Sequence, residues 1–472
     1  MATSDSVTVL KRSQVTPPSS TAATEMSLPL TFLDVPFLHV STIQHLVFYE
    51  DPKLSTNHFI DNIIPKFKDS LSHALEYFLP LAGNLIVPPS SSSSMPEIRY
   101  TKGNSVTLIF AECKKIDFSY LISNQARNCS EFHHLIPELE PSFNDDSGNT
   151  VISTPVLAVQ ITIFPNLGMS IGISNHHAVG DGRNKFNFMK TWAALHAKLI
   201  RNDTDILLQS DHSLPFYDRT VIKDAKGLAS LFWNQSDDIL KRQNTYSTKP
   251  HFTSANKVRK TFVINQKHVE KLKNSVLEKQ RKLGHLSSFT AICGYIWTCV
   301  VKSRDASGET VDDQELEHFS CVADCRGRLD PPLPDNYFGN CLTFCYATTK
   351  KGILVGEEGF AIAVELIGEA IHQRVVSSDA LFNDAENWWK EVEKMNWERV
   401  VGVSGSPRYN YYNLDFGWGK PIKFEFASID STGSISLNGC RDSDSGVEVG
   451  LSLFKPNMDA FSIIFKEGLN AL

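Results

Sequence analysis

The sequence predicts an α/β chain built of mixed-sheet α+β layers. Some segments repeat apolar residues every second position and others repeat them at helical spacing. Both kinds occur in each half of the chain, and they do not alternate in the regular strand-helix-strand rhythm of a doubly wound parallel sheet. A hydrophobic share of 42% over 472 residues supplies apolar surface for about two or three domains of ordinary size.

The first helix is predicted from FKDSLSHALEYFL, residues 67–79, where Phe67, Leu71, Leu75 and Phe78 share one side and Pro80 ends the pattern. In PPSSSSSMPE, residues 88–97, five serines between prolines offer nothing to a core, so a surface loop is expected. A hairpin follows. Leu157, Val159, Ile161 and Ile163 alternate with smaller or more polar neighbours, PNLG turns the chain, and Met169, Ile171 and Ile173 alternate on the return. A continued period of two puts His177 on the apolar side and His176 with Ser170, Gly172 and Ser174, so the two rings are expected to diverge. Phe188, Trp192, Leu195 and Leu199 then recur at helical spacing, which makes HHAVGDG, residues 176–182, a strand-to-helix junction.

From 203 to 255 the chain is polar and irregular apart from GLASLFW, and it reads as a crossover loop between domains 1–202 and 256–472. The second half restarts with KVRKTFVI as a strand and QKHVEKLKNSVLEK as a helix lined by Val269, Leu272 and Val276. The longest apolar run, FTAICGYIWTCVV, is shorter than the ~18 residues of a membrane span, and the N-terminus lacks the apolar core of a secretory leader. With 46 basic against 53 acidic residues the formal charge is −7, which disfavours nucleic acid and anionic bilayers. Nine dispersed cysteines are an odd set, unlike a secreted disulfide framework, and a reducing cytoplasm is the expected compartment.

His176, His177 and Asp181 admit three readings: chemistry, a metal, or the closing of a turn. A histidine at a strand end serves as a general base near neutral pH, a role that suits His177. Asp181 either orients that ring or braces the loop by pairing with a basic residue, and H-x-x-x-D alone does not choose. Zinc fits poorly, because the histidines diverge and no third ligand or H-E-x-x-H is present. A second set, Cys321, Cys325, Cys341 and Cys345, falls on two predicted strands where residues four apart lie more than ~12 Å apart, so core cysteines are expected and no metal. GVSGS at 402–406 lacks the last glycine of a serine-hydrolase elbow, and the DFG at 415–417 has no accompanying kinase motifs. Asp415 reads as the clasp of a glycine-flanked turn.

HHAVGDG and DFGWGKP together resemble the two signature motifs of the BAHD acyl-CoA-dependent acyltransferases of plants. The likeness extends through SQVTPPSS, SLPLTFLDVPFLHV, LPLAGNL, LAVQITIFPN, CGYIWTCVVKS, ADCRGRL and NYFGNC. The NYFGNC segment is similar to the anthocyanin and flavonoid-glucoside branch, with the aromatic acyltransferases nearest. The resemblance implies two chloramphenicol-acetyltransferase-like domains with a channel between them, entered by CoA and acceptor from opposite mouths. It implies a monomer with acyl-CoA as co-substrate, no bound cofactor, and a glycosylated phenolic acceptor. His177 becomes the base that deprotonates an acceptor hydroxyl for direct attack on the thioester, without an acyl-enzyme. Asn340 is the implied oxyanion donor. Asp181 and Asp415 are implied to pair with arginines, for which Arg326 and Arg328 are candidates, and so to be chiefly structural.

Ser287 and Ser288 are candidate CoA contacts, with an N-cap as the competing reading. The expected donor is a hydroxycinnamoyl thioester. A malonyl donor is the alternative, and it would call on Arg183 or Lys185 to hold its carboxylate if those cations are not simply solvated. Transfer to an amine and a non-catalytic ligand-binding homologue are the remaining alternatives.

Overall fold

The computed structural model describes residues 6–472 except 22, 40–41, 90–91, 93, 147–148, 204–213, 244–255, 280–285 and 443–444. Strands Leu157–Phe164 and Gly168–Asn175 form the predicted hairpin, with Leu157 opposite Asn175 and Phe164 opposite Gly168. Every residue of both strands is buried, so the pair lies in the interior of its sheet. The turn needs Gly168, because a Cβ there would stand 2.1 Å from the Tyr49 carbonyl oxygen. The six-stranded sheet runs Val7–Val15, Val106–Cys113, Leu157–Phe164, Gly168–Asn175, Ile43–Glu50, Lys423–Phe426.

Helices Ile64–Tyr77 and Gly182–Ile200 pack on one face of this sheet, contributing Phe67, Leu71, Leu75, Phe188, Trp192 and Leu195 to the larger core. The first helix starts before the predicted Phe67, because the buried Phe59 and Ile63 extend its apolar face through a π-helical turn. A seven-stranded sheet runs Leu342–Lys350, Leu316–Asp324, Val400–Ser404, Ile435–Gly439, Val447–Phe454, Lys257–Ile264, Arg127–Asn128. Helices Ser288–Ala306, Gly359–Val375 and Lys455–Ala471 supply much of its core. A five-stranded sheet completes the mixed α/β layers.

The two large sheets exchange edge strands. Lys423–Phe426 pairs with Ile43–Glu50, and Arg127–Asn128 pairs with Lys257–Ile264, so each sheet ends on a strand from the other half of the chain. A buried ion network closes the seam: Arg127 Nη1 meets Glu425 Oε1 at 2.6 Å, and Arg259 Nη2 meets Asp430 Oδ1 at 3.2 Å. Buried charges persist only when paired, and here the partners come from both halves of the chain.

The crossover departs from the loop expected of it. Residues 204–213 and 244–255 lie outside the described residues, as do 90, 91 and 93 of the serine-rich segment. Between them GLASLFW begins a helix, Leu228–Gln243, whose Leu228, Phe232 and Trp233 are buried. Asp224 starts it by accepting the Leu228 and Ala229 amides at 2.7 and 2.8 Å. Apolar residues too few to declare a period in the sequence were enough to hold a helix against the larger core. Among the described residues no helix is long and apolar enough to cross a membrane.

Candidate active site

The strand Gly168–Asn175 ends in a 3-10 turn, His177–Val179, and the two histidines there part company as expected. His176 turns back on its own backbone, Nδ1 accepting the Ala178 amide at 3.2 Å. The His177 ring stacks on Phe37, centroids 4.2 Å apart and planes 12° from parallel. Its Nδ1 is buried with no hydrogen-bond partner among the described residues. Burial, and then the charge of Lys185, hold its pKa well below the ordinary 6.5. The imidazole is therefore neutral at pH 7 and able to accept a proton.

Asp181 faces away from that ring. It is the N-cap of helix Gly182–Ile200, accepting the Arg183 and Asn184 amides at 3.1 and 3.4 Å. Its other oxygen takes the Cys341 amide at 3.1 Å and Arg326 Nη1 at 2.7 Å. Arg326, itself buried, also donates to the Tyr337 and Gly339 carbonyls at 3.2 and 3.1 Å. Asp181 thus fastens the histidine turn to the loop 336–341.

Asn340 lies in that loop, but it is not an available oxyanion donor. Its Nδ2 donates to Asp34 Oδ1 at 3.0 Å and to the His177 carbonyl at 3.1 Å, which engages both N–H bonds of the amide. Arg183 is likewise committed: it pairs with Asp324 at 3.1 Å and Asp335 at 2.7 Å. Lys185 differs. It borders a cavity of about 20 Å³, room for about one water, that also touches His45, Ile173, Asn175, Gly180 and Phe338. Burial lowers its pKa to about 7, with the Asp181 carboxylate opposing the shift.

Asp415 lies far from this chemistry. Its partner is Arg201, at 2.7 Å, and not Arg326 or Arg328. Arg328 donates to the Asp324 main-chain oxygen, whereas Arg201 caps the far end of the helix that Asp181 opens. At ~1.5 Å per residue the 19 residues between them separate the two aspartates by roughly 28 Å. Asp415 also accepts the Gly417 and Gly419 amides at 2.7 and 2.8 Å. Both glycines have positive φ, 106° and 81°, which this tight loop requires. Phe416 is buried against Trp192, and Trp418 Nε1 reaches Asp51 at 3.2 Å. DFGWG is a clasp that leads the C-terminal strand Lys423–Phe426 into the N-terminal sheet.

The model of the transferase family matches residues 5–467. The chain belongs to that family. It is the BAHD family that its motifs resemble, and the chain is an acyl-CoA-dependent acyltransferase. A phenolic glucoside malonyltransferase of Nicotiana tabacum is 44% identical over 98% of this acyltransferase and 99% of that chain. A coumaroyl-CoA:anthocyanidin 3-O-glucoside-6''-O-coumaroyltransferase of Arabidopsis thaliana is 34% identical over 98% of the acyltransferase and 97% of its own length. Crystalline vinorine synthase, at 19% identity, shares the fold with a TM-score of 0.66 over 96% of each chain.

In the acyltransferase Ser287 is the N-cap of helix Ser288–Ala306, in a reciprocal capping box with Thr290. Both Ser287 and Ser288 are exposed. The four cysteines of the two C-x3-C segments meet across antiparallel strands, Cys321 opposite Cys345 and the Cys325 amide bonded to the Cys341 carbonyl at 3.0 Å, and all four are buried. Sequence reasoning missed Phe37, Asp34 and Arg201. Asp34 had a signal: it is the only charged residue in SLPLTFLDVPFL, and an acid in so apolar a run is buried and must be partnered.

Proposed function

We propose that the enzyme transfers a malonyl group from malonyl-CoA to a sugar hydroxyl of a phenolic or flavonoid glucoside, as a cytoplasmic monomer. The observation that carries the mechanism is the His177 imidazole: neutral because burial and the charge of Lys185 lower its pKa, and braced by a parallel ring. CoA and acceptor reach this ring from opposite sides. His177 takes the hydroxyl proton as the oxygen attacks the thioester carbonyl, and the tetrahedral oxyanion collapses to expel the thiolate. The imidazolium then protonates the sulfur, so one group handles both proton transfers and no acyl-enzyme forms. Base catalysis of this kind contributes about 10²–10⁴-fold.

Two observations favour malonyl. The relative at 44% identity is a malonyltransferase, against 34% for the coumaroyltransferase. Lys185 is a half-buried cation near the base, suited to a carboxylate once Arg183 is committed elsewhere. The hydroxycinnamoyl reading keeps one supporting observation, the rings that continue from His177: Phe37 to Phe344 at 5.5 Å, then Phe344 to Trp388 at 5.4 Å. Thiol release from malonyl-CoA and from coumaroyl-CoA, with a phenolic glucoside present, decides between them. Faster acceptor-dependent release from malonyl-CoA is expected. Preference for coumaroyl-CoA reverses the donor, and no acceptor-dependent release from either overturns the reading.

A further inference from the structure

The His177 turn is held from two directions by one buried residue, Asp34, whose carboxylate takes no part in the chemistry described above. Asp34 is fully buried and receives donors from three separate parts of the chain. Thr31 gives its amide at 3.1 Å and its hydroxyl at 2.8 Å. Asn340 gives its amide at 2.8 Å and Nδ2 at 3.0 Å, and Arg219 gives Nη1 at 3.1 Å.

One of these side-chain connections ends on His177, and a main-chain contact of Asp34 supplies a second path. Through Asn340, whose Nδ2 is shared with the His177 carbonyl at 3.1 Å, Asp34 fixes the main chain of the base. Through its own main-chain oxygen, which accepts the Phe37 amide at 3.0 Å, it opens the 3-10 turn Val35–Leu38 that lays Phe37 on the His177 ring. The charge is balanced from the crossover. Arg219 Nη1 also meets the Tyr337 hydroxyl at 2.7 Å, and the Phe216 amide and carbonyl bond to Asn336 and Phe338, each at 2.9 Å. The crossover is thereby sewn to the same loop that carries Asn340.

We propose that Asp34 is a positioning residue for the acyl transfer: its carboxylate fixes the His177 main chain through Asn340 and, by holding Thr31 at the entry to the Phe37 turn, the His177 ring, with Arg219 of the crossover as its counter-ion. The role rests on the reading of His177 as the base. A residue of this kind does its work on orientation. Displacing a reacting group by about 1 Å costs on the order of 10²-fold in rate. Asp34→Asn keeps the volume but turns one acceptor into a donor, which faces either the Asn340 donors on Oδ1 or the Arg219 and Thr31 donors on Oδ2, so the network cannot close.

The test uses the full-length enzyme with histidine carrying 13C at its ring carbons. Asp34→Asn is expected to lower kcat by about 10²-fold with KM for acyl-CoA little changed. The His177 ε1 resonance, shifted by the Phe37 ring current, is expected to move in the same variant. Arg219→Lys keeps the charge and is expected to retain most turnover, while Arg219→Gln loses it as Asp34→Asn does; Arg219→Gln alone carries the test if Asp34→Asn does not fold. Wild-type kcat in folded Asp34→Asn, or a fall in kcat with the His177 resonance unmoved, overturns the proposal. Turnover surviving in His177→Ala would instead defeat the base reading, and the resonance in Asp34→Asn would still decide whether Asp34 holds the ring.

Discussion

Replacing Asp181 by alanine should damage folding as well as turnover, by an amount the structure sets. The change strips a carboxylate from Arg326, a guanidinium only 1% exposed, and removing one partner of such a pair costs about 3–5 kcal/mol. Arg326 keeps two carbonyl acceptors and the more distant Asp324 at 3.5 Å, which places the loss at the lower end of that range. Loss of the N-cap to Arg183 and Asn184 adds about 1 kcal/mol. The sum, about 4 kcal/mol, is a large part of an ordinary domain's 5–15 kcal/mol. Urea unfolding followed by far-ultraviolet circular dichroism measures it, alongside kcat. Arg326→Met, which replaces the charge by an apolar chain, should be destabilising alone and should soften the effect of Asp181→Ala by about 2–3 kcal/mol in the double variant. An Asp181→Ala enzyme of wild-type stability and no activity would refute this reasoning and give the aspartate a direct part in the chemistry.

Asp415→Ala should cost less, about 2 kcal/mol, because its ion pair with Arg201 is partly exposed and screened by solvent, leaving mainly the amide bonds from Gly417 and Gly419; a fall in urea midpoint smaller than that of Asp181→Ala is expected, and a dead variant of full stability would count against the clasp. Stability should fall on acidification below pH 6.5. His45, His176 and His196 have pKa values lowered by burial to about 3, 4 and 4, so the unfolded chain binds protons that the folded one refuses. Each such histidine removes about 1.4 kcal/mol per pH unit between the unfolded and folded values, readable as a midpoint that rises from pH 5 to 6.5 and then levels. Lys185→Met should raise KM for malonyl-CoA and leave KM for a neutral acyl-CoA unchanged. In the wild type, KM for malonyl-CoA should rise with pH above about 7 as Lys185 loses its proton; equal pH profiles for both donors would remove Lys185 from the acyl site.

The local elements were legible where one physical signal dominated. The hairpin 157–175 announced itself by strict alternation around PNLG, and the helix after Gly182 by its apolar stripe. The exchange of edge strands between the sheets was not legible, since period and propensity say nothing of which distant strand a segment pairs with. At the site, H-x-x-x-D fixed the places of His177 and Asp181 but not their partners. Nothing local marks Arg201 as the partner of Asp415, 214 residues away, and Asn340, expected to be an oxyanion donor, is committed to Asp34 across 306 residues. The partners of Arg183 were hidden for the same reason: its two acids lie 141 and 152 residues away in sequence.

Acyl transfer in this enzyme depends above all on His177 as the group that moves the proton. Steady-state release of CoA thiol by folded His177→Ala, with malonyl-CoA and a phenolic glucoside at saturation, tests this most directly. The expected result is a kcat lowered by at least about 10²-fold, with circular dichroism and urea midpoint near those of the wild type. A folded variant turning over within a few-fold of the wild type would contradict the mechanism.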